Sequence, residues 1–232
     1  EPEAVIALVA DADGDRQLLF CREKNAEREI WDGFRYGPDA AREVFGFDAA
    51  YPLAEMDAVL ADLVADRPAL YTPLGQAAAW DRKVADLLNE VRNRARTGVA
   101  APEHIVDVRQ ALDAMRLVKD EHERSLMRRA AEISSGAHRR AMAATRPGWF
   151  EYQVEAELVH EFLRHGAQAV AYPSIVAGGP NACVLHYRDN NRQLQDGELL
   201  LIDAGCEYQG YASDITRTFP VNGRFSGPQK DV

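Results

Sequence analysis

The apolar run Leu199-Leu200-Leu201-Ile202 ends on Asp203, and a second strand-like segment carrying Asp214 follows across a turn at Glu207–Gly210. Four consecutive apolar residues read as a strand buried on both faces, because a half-solvated strand alternates. A turn centred between Tyr208 and Gln209 folds the two segments into a hairpin with Asp203 and Asp214 directly opposed on one face. Opposed Cβ atoms lie about 4.5–5.5 Å apart. Two bare carboxylates at that separation repel, and Leu201, Ile202 and Ile215 partly desolvate them. A shared proton relieves the repulsion. A divalent cation relieves it further: oxygen donors favour hard cations such as Mn²⁺ or Mg²⁺, and a carboxylate pair can bridge two metals about 3.5–4 Å apart. The same spacing also fits a surface hairpin with two solvated aspartates, and spacing alone leaves both readings open.

The segments before this hairpin predict an α+β unit. Asp120 with Glu123 three residues on is a capping-box spacing that starts a helix running to about Ala144. Its apolar face is Leu126, Met127, Ala130, Ile133, Ala137 and Ala141, and Arg146-Pro147-Gly148 stops it. A second helix over about 151–164 ends at His165-Gly166. The periodicity then changes to strands at 169–176, 183–187, 199–204 and 211–218, an antiparallel meander. His186, on the expected strand at 183–187, could donate a hydrogen bond to a substrate carbonyl or a developing oxyanion; a lone histidine is more often a satisfied structural residue, and spacing alone favours that reading. Tyr172 either orients a ligand or packs. His138, His160 and His165 have no cluster partner and read as structural or surface residues.

The first hundred or so residues differ in character, alternating short strands and helices as an α/β domain does. Strands are expected at 4–10 and 17–21, a helix from Pro38 to Val44, a helix over 53–65, a strand at 69–71 and an amphipathic helix over 77–94. Thr97–Pro102 reads as a linker, and the domain organisation is taken as 1–104, a linker at 105–118, and 119–232. Neither a glycine-rich phosphate loop nor a repeat is present.

Net charge is −10, which disfavours a nucleic-acid partner. No stretch approaches the apolar length of a membrane span. Three cysteines without CxxC pairing point to a reducing cytoplasm. The chain opens on a strand already under way and stops where a helix is about to start, so both ends are expected to be cut.

Several blocks together resemble bacterial members of the Xaa-Pro aminopeptidase (aminopeptidase P) family. They are Met115-Arg116-Leu117-Val118-Lys119, Arg146-Pro147-Gly148-Trp149-Phe150-Glu151-Tyr152, His165-Gly166-Ala167, Leu185-His186-Tyr187, Leu201–Tyr208 and Asp214–Pro220. The resemblance extends back through Glu29-Ile30-Trp31 to Glu1-Pro2 and covers essentially the whole chain. It implies a creatinase-like α/β N-terminal domain followed by a pita-bread metallopeptidase domain, incomplete here. It implies five ligands holding two Mn²⁺ ions. Asp203 and Asp214 match the two aspartates; the remaining histidine and two glutamates are expected beyond Val232. His186 matches a substrate-binding histidine with a catalytic part in stabilising the oxyanion, and Tyr172 is taken as substrate-binding.

The activity so implied is release of the N-terminal residue from peptides with proline second, by water activated at the metal pair, with a general base from beyond Val232. A dimer or tetramer is implied, with Trp31 either at that interface or in the core. Alternatives within the fold are a prolidase acting on Xaa-Pro dipeptides, a metal-free creatinase, which the two aspartates disfavour, and a non-catalytic pita-bread binding module. On two ligands of five, the isolated chain is expected to be inactive and to bind Mn²⁺ weakly.

Overall fold

The computed structural model describes residues 3–231; Glu1 and Pro2, which open the resemblance, and Val232 lie outside the described residues. The chain divides into two compact units, 3–115 and 116–231 within the described residues.

In the first unit, β1 (Val5–Val9) pairs antiparallel with β2 (Arg16–Cys21). After α1 (Ala26–Asp32) and α2 (Gly37–Phe45), β3 (Ala49–Pro52) pairs parallel with β2. Pro38 stands in the first turn of α2, where its missing N–H costs nothing. Next come α3 (Met56–Val64), β4 (Ala69–Thr72) and α4 (Ala78–Asn93). A core of Ala61, Val64, Val84, Leu88 and Val91 joins α3 to α4. Trp80 packs against that core and donates from its indole Nε1 to Thr72 Oγ1 at 2.9 Å.

The linker expectation is corrected here. Val99 and Ala101 of the presumed linker at 97–102 pack against the α3–α4 core. The stretch 105–118 is not irregular either. Residues His104–Asp107 form β5, paired parallel with β4, and Arg109–Leu117 form α5. Small apolar residues read as linker composition are instead a cover for the core, and Ile105-Val106 is β-branched strand sequence.

The second unit opens with α6 (Glu121–Ala144), whose capping box forms as expected: Asp120 Oδ1 accepts from Glu123 N at 2.8 Å, and Glu123 Oε2 accepts from Asp120 N at 2.7 Å. Next is α7 (Glu151–Arg164). The two helices lie against two three-stranded sheets. One is ordered β11-β8-β7, from β7 (Ile175–Gly178), β8 (Leu199–Ala204) and β11 (Ile215–Pro220). The other is ordered β10-β9-β6, from β6 (Ala169–Val170), β9 (Cys206–Tyr208) and β10 (Tyr211–Ala212). A short α8 (Gly227–Lys230) follows. The core unites Ile133, Ala137 and Ala141 of α6 with Val154, Leu158 and Phe162 of α7 and with Val176, Leu200, Ile202 and Ala204 of the sheet.

Three strand expectations change, the expected strand 211–218 being divided into β10 and β11. The expected strand 169–176 is broken into β6 and β7. The expected strand 183–187 is absent: Gly179–Cys183 is a 3-10 turn, and His186 lies in the irregular turn after it. That segment follows Gly179, which holds a positive φ of 53°, and Pro180 has no N–H for a ladder. Strand β8 is also not buried equally on both faces. Leu200, Ile202 and Ala204 are fully buried under the helices, while Leu201 and Asp203 are half-buried on the other face.

Candidate functional site

The hairpin that carries the two aspartates turns one residue later than its sequence suggests. Tyr208 pairs with Tyr211, and the two residues between, Gln209 and Gly210, have φ of 48° and 81°. Positive φ at both central positions is the type I′ pattern, whose twist suits a two-residue hairpin. The register correction follows: Asp203 pairs with Thr216, and Asp214 is its diagonal neighbour rather than its direct partner. Moving the turn centre by one residue moves every partner by two, and side chains alternate with a period of two. The two aspartates therefore stay on one face although the pairing changes.

A break in the hairpin sets their approach. Between β8 and β9 stands Gly205, where an added Cβ would lie 1.7 Å from the Ser213 carbonyl oxygen. No side chain fits there, so the two chains close in at the point where Asp214 departs. Ser213 N donates to Cys206 O at 2.9 Å, resuming the ladder beyond the break. Beneath it, Cys206 N donates to both Ser134 Oγ and Ser213 Oγ at 3.1 Å, and the two hydroxyls are 2.7 Å apart. On the α6 side, buried His138 lies with Nε2 3.1 Å from Ala204 O. A carbonyl only accepts, so Nε2 carries the proton and Nδ1 is left buried without a hydrogen-bond partner among the described residues. Burial lowers the His138 pKa from its ordinary value.

Tyr172 joins the two carboxylates. Its hydroxyl lies 2.6 Å from Asp203 Oδ1 and 2.9 Å from Asp214 Oδ1. Burial first, and then the two carboxylates it meets, push its pKa above the ordinary phenol value. One hydroxyl has one proton, so it cannot donate fully to both carboxylates at once. The pair remains short of positive charge: Asp203 is half-buried, and no lysine or arginine forms an ion pair with either aspartate among the described residues. An all-oxygen group of this kind, two carboxylates converging on one phenol, suits a hard divalent cation. No cluster of three or more histidine, cysteine or acidic side chains suited to a metal occurs among the described residues.

His186 is exposed, and its side chain makes no hydrogen bond or ion pair among the described residues. Its neighbours are firmly held. Tyr187 is buried with Ile175 and Ala177, and Leu201 packs against that cluster. Ile175 is the register partner of Asp203, and Ala177 of Leu201, so this cluster lies on the Asp203 face of the sheet. Several residues that shape the site were not singled out from sequence: Gly205, Ser134, Ser213 and Glu151, with His138 read only as structural or surface. Gly205 alone had a local signal, an isolated glycine inside a strand pattern, which marks a bulge or a close backbone approach.

Residues 125–232 match the model of Metallopeptidase family M24, and residues 1–71 match that of Aminopeptidase P, N-terminal domain. The Xaa-Pro aminopeptidase of Escherichia coli (strain K12) is 45% identical over 100% of this chain, which covers 53% of that relative. Among solved structures, a variant of Escherichia coli aminopeptidase P in complex with substrate matches with a TM-score of 0.96 at 45% identity, over 100% of this chain and 53% of that one. A Pseudomonas aeruginosa aminopeptidase matches with a TM-score of 0.95 at 51% identity, over 99% of this chain and 52% of that one. The chain spans about half the length of the curated relatives it matches.

Proposed function

Because the chain belongs to the aminopeptidase P family of pita-bread metallopeptidases, we propose that the complete protein is a metal-dependent aminopeptidase that releases the N-terminal residue of peptides with proline in second position. The observation that carries this reading is the convergence of Asp203 and Asp214 on the Tyr172 hydroxyl. In this reading Asp203 and Asp214 are two of five ligands to a pair of divalent cations, and manganese suits their oxygen donors. The cations, when bound, lower the pKa of water and so supply a nucleophile near neutral pH.

The residues of this chain do the rest of their part by position. Asp203 is held by the β8–β11 ladder, and Asp214 by the break opposite Gly205. Tyr172 Oη fixes the rotamers of both. In this reading His186, exposed next to Tyr187 of the cluster on the Asp203 face, is the substrate-binding group: it donates a hydrogen bond to the scissile carbonyl, a bond that strengthens as charge develops on that oxygen. The remaining histidine and two glutamate ligands, and the general base, come from a part of the protein outside this chain. A cytoplasmic location suits three cysteines, Cys21, Cys183 and Cys206, that have no CxxC spacing. A homo-oligomer suits the exposed Ile30, Trp31 and Phe34 of the first unit, large apolar groups at 79%, 80% and 69% exposure.

The test is hydrolysis by the complete, manganese-loaded protein of a tripeptide with proline second, against the same peptide with alanine there. Proline-dependent release of the first residue, lost in Asp203→Asn and in Asp214→Asn, is expected. Cleavage of Xaa-Pro dipeptides alone assigns it instead as a prolidase, and no hydrolysis with metal bound leaves a binding module.

A further inference from the structure

A third carboxylate, away from the two aspartates, organises the segment on which His186 is carried. Glu151 opens α7 and is fully buried, at 0% exposure. Its Oε1 accepts from Gly178 N at 2.7 Å and Asn181 Nδ2 at 3.1 Å. Its Oε2 accepts from Tyr187 Oη at 2.7 Å and Arg192 N at 2.9 Å. Each oxygen is thus served twice, which offsets the cost of burying a charge. No cation is among the four donors.

Three of those donors come from the two ends of one segment. Gly178 and Asn181 lie where the chain leaves β7, and Tyr187 lies where it returns. Between them, Val184, Leu185 and His186 are exposed, Leu185 to 90%. His186 has no side-chain partner of its own among the described residues, so its place is inherited from these anchors. Tyr187, its immediate neighbour, packs on the face of the sheet that holds Asp203 and ends with its hydroxyl on Glu151. Burial, and next the hydrogen bond to Glu151, raise the Tyr187 pKa, so the phenol remains a donor at neutral pH. A helix start alone does not call for a buried carboxylate with donors gathered from a distant loop.

We propose that Glu151, acting through Tyr187 and Asn181, is the positioning residue that holds His186 over the Asp203 face of the site. This rests on the substrate-binding role given to His186 above. The experiment is a set of double-mutant cycles in the complete, manganese-loaded protein. Tyr187→Phe and Glu151→Gln are made alone and with His186→Ala, and kcat/KM is measured on a proline-second tripeptide. A displacement of the order of 1 Å costs up to about 100-fold, so Tyr187→Phe is expected to lower kcat/KM about 10-fold and Glu151→Gln about 100-fold. With His186 already removed, each is expected to cost less than about 2-fold, since residues acting through one group do not add. Hydrogen exchange over 179–187 should speed up in both variants, while manganese affinity stays within about 2-fold of the parent, because neither carboxylate of the metal pair is disturbed. Equal losses with and without His186, or an unchanged kcat/KM in folded Tyr187→Phe protein, overturn the proposal. Full activity in His186→Ala overturns the role of His186 itself, a failure visible before any Glu151 or Tyr187 variant is made. If Glu151→Gln fails to fold, the Tyr187→Phe cycle decides.

Discussion

At Gly205 a single hydrogen atom decides the geometry of the site. Any Cβ would occupy the Ser213 carbonyl, and the atom met is backbone rather than the end of a flexible side chain. Gly205→Ala therefore has to push apart the strands that present the two aspartates, and a loss of at least about 3 kcal/mol in unfolding free energy is expected by denaturant titration. The aspartates present the opposite balance. In the absence of a cation they share one phenol proton, so Asp214→Asn removes a repulsion. The metal-free chain should become more stable by about 0.5 kcal/mol, the scale of a like-charge cross-strand pair, while losing its manganese affinity. A destabilised Asp214→Asn protein in metal-free buffer would show that the two carboxylates are not in conflict.

His138 adds a pH dependence at the same scale. Burial lowers its pKa in the folded chain, and the unfolded imidazole titrates near 6.5. Below about pH 6.5 the unfolded state takes up a proton that the folded state refuses, so the stability present above that pH is lost as pH falls toward the lower folded pKa. Urea midpoints measured at pH 7.5 and 5.5 should differ, and the gap should narrow in His138→Gln. An unchanged gap in that variant assigns the acid sensitivity to other groups.

Elements were legible from sequence where a local rule and the tertiary fold agree. The α6 capping box needs only Asp120 and Glu123, and both bonds form. Since Tyr211 Oη also donates to Glu123 Oε1 at 2.7 Å, the box is tied to β10. Asp120→Ala should cost about 1 kcal/mol, read as a lowered thermal midpoint; a larger loss is expected from Glu123→Ala, which breaks the box and the tie together. Where local rules fail, the reason is physical. Gln209-Gly210 adopts a type I′ turn that Asn-Gly would have announced, so the turn was placed one residue early. The apolar letters of 183–187 resemble a strand, but Gly179 and Pro180 send the chain into a 3-10 turn, and its backbone bonds close within the turn, Val184 N to Asn181 O and Tyr187 N to Val184 O, instead of forming a ladder. The α3–α4 core draws Val99 and Ala101 onto itself, a long-range effect that a Thr-Gly-Val-Ala-Ala-Pro composition does not reveal.

On the scale of the molecule, the shared face of Asp203 and Asp214 is legible in the sequence because a two-residue period preserves the face even when the register is wrong, whereas the support for His186 is not, since Glu151 reaches it across more than thirty residues of sequence. In the proposed reading the chain supplies only a share of what a dinuclear centre needs. Two carboxylates and a phenol converge, and no further histidine, cysteine or acidic group completes a metal cluster among the described residues. A hard cation takes six or more oxygen ligands, many of them water in a site so open, and each protein ligand withheld weakens binding. The isolated chain is therefore expected to bind manganese only with a Kd in roughly the millimolar range, that of weak oxygen sites, and to hydrolyse no proline-second peptide. Electron paramagnetic resonance of added Mn²⁺ reads the first quantity and a tripeptide assay the second. Tight binding of two manganese ions by this chain alone, or turnover above that of Asp203→Asn, would mean that the two aspartates are sufficient and that the ligands assigned to the rest of the protein are not needed.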